Sequence, residues 1–158
     1  MSSEDRTIEF VSAFEEAGIS RNLLDWLNKW LEAQADIPFS IDFIDYEFME
    51  DETPGMAMSL VQSAYIVERF INGAYTADYQ FKIIYRTAPD TPEARLSADE
   101  LLDGLAQWAA GQKPDIGDGL EVQEIEQVTP AALFARMAGG WEDHQIFMRM
   151  TYQVHPGK

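Results

Sequence analysis

The stretch AYIVERFINGAYTADYQFKIIYR, residues 64–86, decides the fold. Asn72-Gly73 lies at its middle, a dipeptide suited to the positive φ angles of a two-residue type I′ turn. Beyond it, Tyr75, Ala77, Tyr79, Phe81, Ile83 and Tyr85 alternate with Thr76, Asp78, Gln80, Lys82, Ile84 and Arg86. Period two is the pattern of a strand with one buried face. A two-residue turn sets Phe70 opposite Tyr75, Ile66 opposite Tyr79 and Ala64 opposite Phe81, so both apolar sets share a face. Arg69 is then diagonal to Asp78, within reach of a cross-strand ion pair. The stretch predicts a long β-hairpin.

On its N-terminal side, Ile8, Val11 and Phe14 recur at helical spacing up to Gly18. Ser20 is placed to cap a second helix whose stripe is Leu23, Leu24, Leu27, Trp30 and Leu31, with Trp26 at its edge. After Pro38, the alternation of Phe39, Ile41 and Phe43 with Ser40, Asp42 and Ile44 predicts a strand to about Phe48. Glu47, Glu50, Asp51 and Glu52 lead into Thr53-Pro54-Gly55, a charged loop with turn chemistry. Tyr46, Phe48, Met56, Met58 and Leu60 around it feed either a strand edge or a second small core, or else form a self-association surface.

On its C-terminal side, Ser97 and Glu100 form the pattern of a capping box. Leu101, Leu102, Leu105, Trp108 and Ala109 make the apolar stripe of the helix that follows, with Gly111 and Pro114 at its end. Asp115-Ile116-Gly117-Asp118-Gly119 reads as a helix-to-strand turn. Leu120 and Val122 open a strand whose phase slips before Ile125, predicting a bulge near Gln123-Glu124. Ala132–Met137 runs into a turn at Gly139-Gly140. The last strand carries Ile146, Met148, Met150, Tyr152 and Val154 on one face. The class is α+β: a mostly antiparallel sheet with a long hairpin, packed on one face by two main helices.

The totals fit one domain over residues 1–158 with a sizeable core. With 46% apolar residues the chain is no disordered acidic tail. Its 28 acidic and 11 basic residues give a net charge of −17, which repels nucleic acid and anionic membrane and favours cationic partners. There is no Cys, hence no disulfide framework and no thiolate site. The first residues lack the pattern of a signal peptide, and no apolar run reaches membrane-span length, so a cytoplasmic origin is expected.

Catalytic patterns are missing. His144 and His155 stand in no metal-ligand spacing, and neither acidic tract has the ligand periodicity of a calcium loop. No nucleophile elbow or phosphate-binding glycine loop occurs. The chain is therefore expected not to be an enzyme and to need no cofactor or metal. A hydrolase would require an inward-facing, desolvated His144 with a carboxylate partner. A rival from another class is an acidic nucleic-acid mimic that inhibits a basic partner, which rests on the charge alone.

The order of elements resembles the minor capsid proteins and tail terminators of long-tailed bacteriophages. The residues that carry this are Ile66-Val67-Glu68-Arg69-Phe70-Ile71-Asn72-Gly73, then Tyr79-Gln80-Phe81-Lys82-Ile83-Ile84-Tyr85-Arg86. Leu105-Ala106-Gln107-Trp108, Ala132-Leu133-Phe134 and Gln145-Ile146-Phe147-Met148-Arg149-Met150-Thr151-Tyr152 extend it. It spans residues 20–158, leaving 1–19 as an N-terminal helical extension. The resemblance implies a virion protein of the tail or neck, assembled in a bacterial cytoplasm. Such a subunit forms a ring, expected to be a hexamer, that caps the tail tube and meets head-completion proteins. DNA would pass through the ring without sequence-specific binding, and no membrane is involved. Arg69, Ile71, Tyr75, Thr76 and Asp78, near the hairpin tip, are the assembly candidates.

Overall fold

Two long strands, β4 (Tyr75–Thr87) and β7 (Glu142–Val154), pair antiparallel over their whole length and form the spine of the molecule. The structure is a computed structural model describing residues 7–34, 41, 43–47, 49 and 53–156. Both strands alternate as their sequences predict. Tyr79, Phe81 and Ile83 of β4, with Ile146, Met148, Met150 and Tyr152 of β7, are buried on one face. Lys82, Arg86, Phe147 and Arg149 stand half-buried on the other. Each long strand is flanked by two shorter ones. β2 (Gly55–Leu60) and β3 (Tyr65–Arg69) line β4, and β5 (Leu120–Gln127) and β6 (Ala132–Arg136) line β7. β1 (Ile44–Tyr46) joins β2 in parallel, an exception within the otherwise antiparallel sheet.

Helices α1 (Ala13–Glu32) and α2 (Pro92–Ala110) cover the buried face. Ile19, Leu23 and Leu27 of α1 and Leu102, Leu105 and Ala106 of α2 enter one core with the strand residues. The Trp26 ring stacks on Trp108 at 4.9 Å between centroids, tying helix to helix. Met56 and Met58 are fully buried in this core, so they feed a strand and the one core rather than a second small core or a self-association surface.

Several local expectations are corrected. Residues 7–12 are extended rather than helical, and α1 is one helix capped by Ser12, whose side chain accepts from the Glu15 N–H at 3.1 Å. Gly18 and Ser20 lie inside it, and the Ser20 hydroxyl turns inward to the Tyr79 hydroxyl at 2.7 Å. α2 likewise begins earlier than Ser97. Thr91 caps it, with Pro92 in the first turn, a position where the missing N–H costs nothing. In β1 the phase is reversed, since Ile44 is buried while Phe43 is exposed. Phe39, Phe48, Glu50, Asp51 and Glu52 lie outside the described residues. The bulge in β5 is found where the phase slips, between Val122 and Glu124.

The β3–β4 hairpin forms, with a different register. Ile66 faces Ala77 and Arg69 faces Tyr75, with an irregularity between Ile66 and Glu68. Phe70 N–H donates to Ala74 O at 2.9 Å and Gly73 N–H to Phe70 O at 3.1 Å. Three residues therefore make the loop, and Gly73 alone takes the left-handed conformation, at φ 90°. This is a type I turn closed by a left-handed glycine, which shifts one strand by a residue relative to a two-residue turn. The expected Arg69–Asp78 pair does not form, because Asp78 accepts from the Tyr65 and Thr151 hydroxyls while Arg69 turns to Glu9.

Candidate functional site

The assembly candidates lie around the tip of the β3–β4 hairpin: Arg69 in β3, Ile71 in the loop, and Tyr75, Thr76 and Asp78 in β4. Arg69 holds Glu9 through two guanidinium N–H groups, one at 2.9 Å, and lies 5.4 Å from the Tyr75 ring centroid. That pairing lowers the Glu9 carboxyl below its ordinary value. Tyr75 donates to the Glu15 carboxylate, which also accepts from Tyr152 at 2.7 Å. Burial, then the neighbouring carboxylate, pushes both phenols well above their ordinary range. Thr76 sits in the ladder between Glu68 and Gln153. Asp78 is 6% exposed and already partnered. Ile71, at the tip, is fully exposed. The candidates thus divide: Ile71 and Arg69 face outward, whereas Tyr75 and Asp78 bind the hairpin to the rest of the fold.

The sequence reading missed the neighbours of Ile71. Val67 and Phe70 are exposed as well, as are Ile8 and Phe10 in the segment that runs beside β3, so five of the twelve exposed large apolar side chains among the described residues belong to this hairpin and the segment paired with it. An interior helix would have hidden Ile8, which an extended segment along β3 does not, and Phe14 is exposed on the first turn of α1.

A second cluster lies at the opposite end of the spine. His144 is fully buried, its Nδ1 2.7 Å from Asp99 Oδ1 and its Nε2 3.1 Å from Glu142 Oε1. Glu142 also takes Arg95, with Nη2 at 2.7 Å, and Arg136 lies 3.6 Å away. On the other face, Arg86 grips Asp143 at 2.7 and 2.8 Å. The hydrogen bonds from Arg95, then that from His144, hold Glu142 down to about 2 against the opposing effect of burial.

The inward, carboxylate-flanked His144 meets the condition set for a hydrolase. Both ring nitrogens are engaged by carboxylates, so neither faces a nucleophile or a substrate. The described clefts, of about 290–330 Å³, are lined by other residues, such as Asn22 and Asp115, Ser20 and Tyr46, or Asp103 and Thr129. The cluster is an ion network that fastens α2 to the start of β7.

Glu142 gives this cluster a pH signature. A carboxylate depressed in the folded state stabilises it fully above the unfolded value and loses that effect as pH falls through the folded value. The stability difference between the native chain and Glu142→Gln is expected to be constant above pH 4.5 and to shrink between 4.5 and about 2. Urea midpoints over that range measure it, and an undiminished difference at about pH 2 would assign the effect to another group.

No family model matches the chain, and no curated protein is significantly similar to it. Solved structures are. A chain from the virion of a native gene transfer agent particle matches with TM-score 0.58 at 12% identity, over 85% of this chain and 97% of that one. A second solved chain matches with TM-score 0.50 at 14% identity, over 90% of this chain and 96% of its own length. At these identities the likeness is one of fold.

Proposed function

We propose that this chain is a structural subunit of a phage-like virion, a tail terminator or minor capsid protein. Its ring would cap the tail tube and join it to the head. The observation that carries this is the fold shared over nearly the whole of a chain from a virion particle. The residue pattern of the hairpin, of the Leu105–Trp108 helix and of β7 supports the same family. The charge is compatible: a ring of six subunits carries on the order of −100 charges, and a negative lumen lets DNA slide without sticking. Head-to-tail contacts close into rings when the rotation permits, and the edges of a sheet are surfaces on which a neighbour's strand can pair.

Repulsion between subunits this acidic opposes closure and is screened over ~10 Å at 0.1 M salt. Light-scattering mass after gel filtration is expected to rise from one subunit towards six as salt increases. A monomer at every salt, with a tight salt-sensitive 1:1 complex on a basic nucleic-acid enzyme, would replace the ring by the acidic inhibitor. Arg69→Glu, which sets a carboxylate against Glu9, is expected to abolish rings while leaving the circular dichroism unchanged. Normal rings from that variant would remove the hairpin edge from the contact.

A further inference from the structure

The segment 9–11 pairs with the outer edge of β3 through a single antiparallel bridge. Val11 N–H donates to Ala64 O at 3.0 Å and Ile66 N–H to Glu9 O at 2.8 Å, which flank the antiparallel pair Phe10 and Tyr65. The Glu9–Arg69 ion pair fixes its register. Only Val11 of this segment is buried; Ile8 is 64% exposed and Phe10 57%. Two backbone bonds, one exposed ion pair and one buried valine hold a segment whose large side chains remain in water. A short segment with so few anchors opens at the low end of local stability. The residue that follows, Ser12, is a helix cap with extended backbone, a hinge between the segment and the helix.

We propose that the β3 edge accepts this same segment from a second copy of the chain, residues 7–11 of one subunit replacing those of its neighbour. The occupant is defined by the incumbent: an edge that already matches this sequence in register, side chain and charge matches an identical segment equally well. Exchange conserves the two backbone bonds and the Glu9–Arg69 pair. Where the exchanging subunits meet, the five exposed apolar side chains of the hairpin and its paired segment are available to the contact. Strand exchange of this kind is a low-cost route to self-association and passes head-to-tail from subunit to subunit. It rests on the ring reading only for the closure of such a chain of subunits.

The chain has no cysteine, so pairs of introduced thiols report without background. Phe10 and Tyr65 form the non-hydrogen-bonded kind of antiparallel pair, whose Cα separation of about 4.5 Å suits a disulfide. Phe10→Cys and Tyr65→Cys are made as separate proteins, one carrying a size tag, mixed at high salt and oxidised. Exchange predicts a covalent heterodimer on a denaturing gel, several-fold above the homodimers that each variant gives alone. Mass that rises without excess heterodimer overturns the exchange and leaves the ring in place. Heterodimer in open chains that never close keeps the exchange and removes the ring. Neither mass nor heterodimer overturns both. Should Tyr65→Cys fail to fold, Glu9→Cys with Arg69→Cys, joined by a short bifunctional thiol reagent, tests the same exchange at the ion pair.

Discussion

Replacing Glu142 with Ala is expected to cost about 2–3 kcal/mol, read as a fall in the urea midpoint without change in slope. The carboxylate is 5% exposed and serves Arg95, Arg136 and His144 at once. Its loss does not fall equally on them. Arg136 is 67% exposed and Arg95 36%, so both turn to water at little cost. His144 has no exposure at all, and one of its ring nitrogens is left without a partner. The cost lies in that unsatisfied buried group rather than in the lost attraction. Removing both, in Glu142→Ala with His144→Leu, should therefore recover part of the loss. A double variant as unstable as the sum of the singles would show that the arginines carry the cluster instead. Against a total stability of roughly 5–15 kcal/mol, the single change removes a large fraction.

The cluster was half legible. Strict alternation back from Ile146 places both His144 and Glu142 on the core face, and that signal was available in β7. What no spacing discloses is that Asp99, 45 residues away, and Arg95 meet them from α2. The long strands were legible for the same reason, because a sheet buried on one face writes period two into every strand. The register of the hairpin was not. Asn72-Gly73 fits a two-residue turn and a three-residue loop alike, and the choice fell to the bulge near Val67 and to the segment at residues 9–11. Helix starts failed through competition between caps. Ser12 and Ser20 both suit the first turn, as do Thr91 and Ser97, and in each pair the earlier residue is the cap: the added turns of α1 bury Ile19, and Pro92 fits the first turn that Thr91 opens. Gly18 then stands inside α1, where it weakens the helix by about 1 kcal/mol relative to Ala without ending it.

The two faces of the sheet differ enough to be separated by one pair of substitutions. Phe81 is fully buried, between Leu60 of β2 and Met148 of β7, with the Tyr79 ring 5.8 Å away. Its truncation to Ala opens a cavity under both helices and is expected to cost about 3–5 kcal/mol. Phe147 lies one residue along the neighbouring strand, opposite Lys82, on the uncovered face. There the same truncation removes a half-hydrated ring and is expected to cost about 1 kcal/mol or less in the monomer. Equal losses at the two positions would mean that the face bearing Lys82 and Phe147 is covered in solution. The comparison gains a second use in the assembled protein. If Phe147→Ala lowers the mass at high salt while its monomer remains as stable as the native chain, the open face is part of the subunit contact. If the mass is unchanged, contact is confined to the edges, and the segment at residues 9–11 with the β3 tip must supply the cohesion that overcomes a net charge of −17 on each subunit.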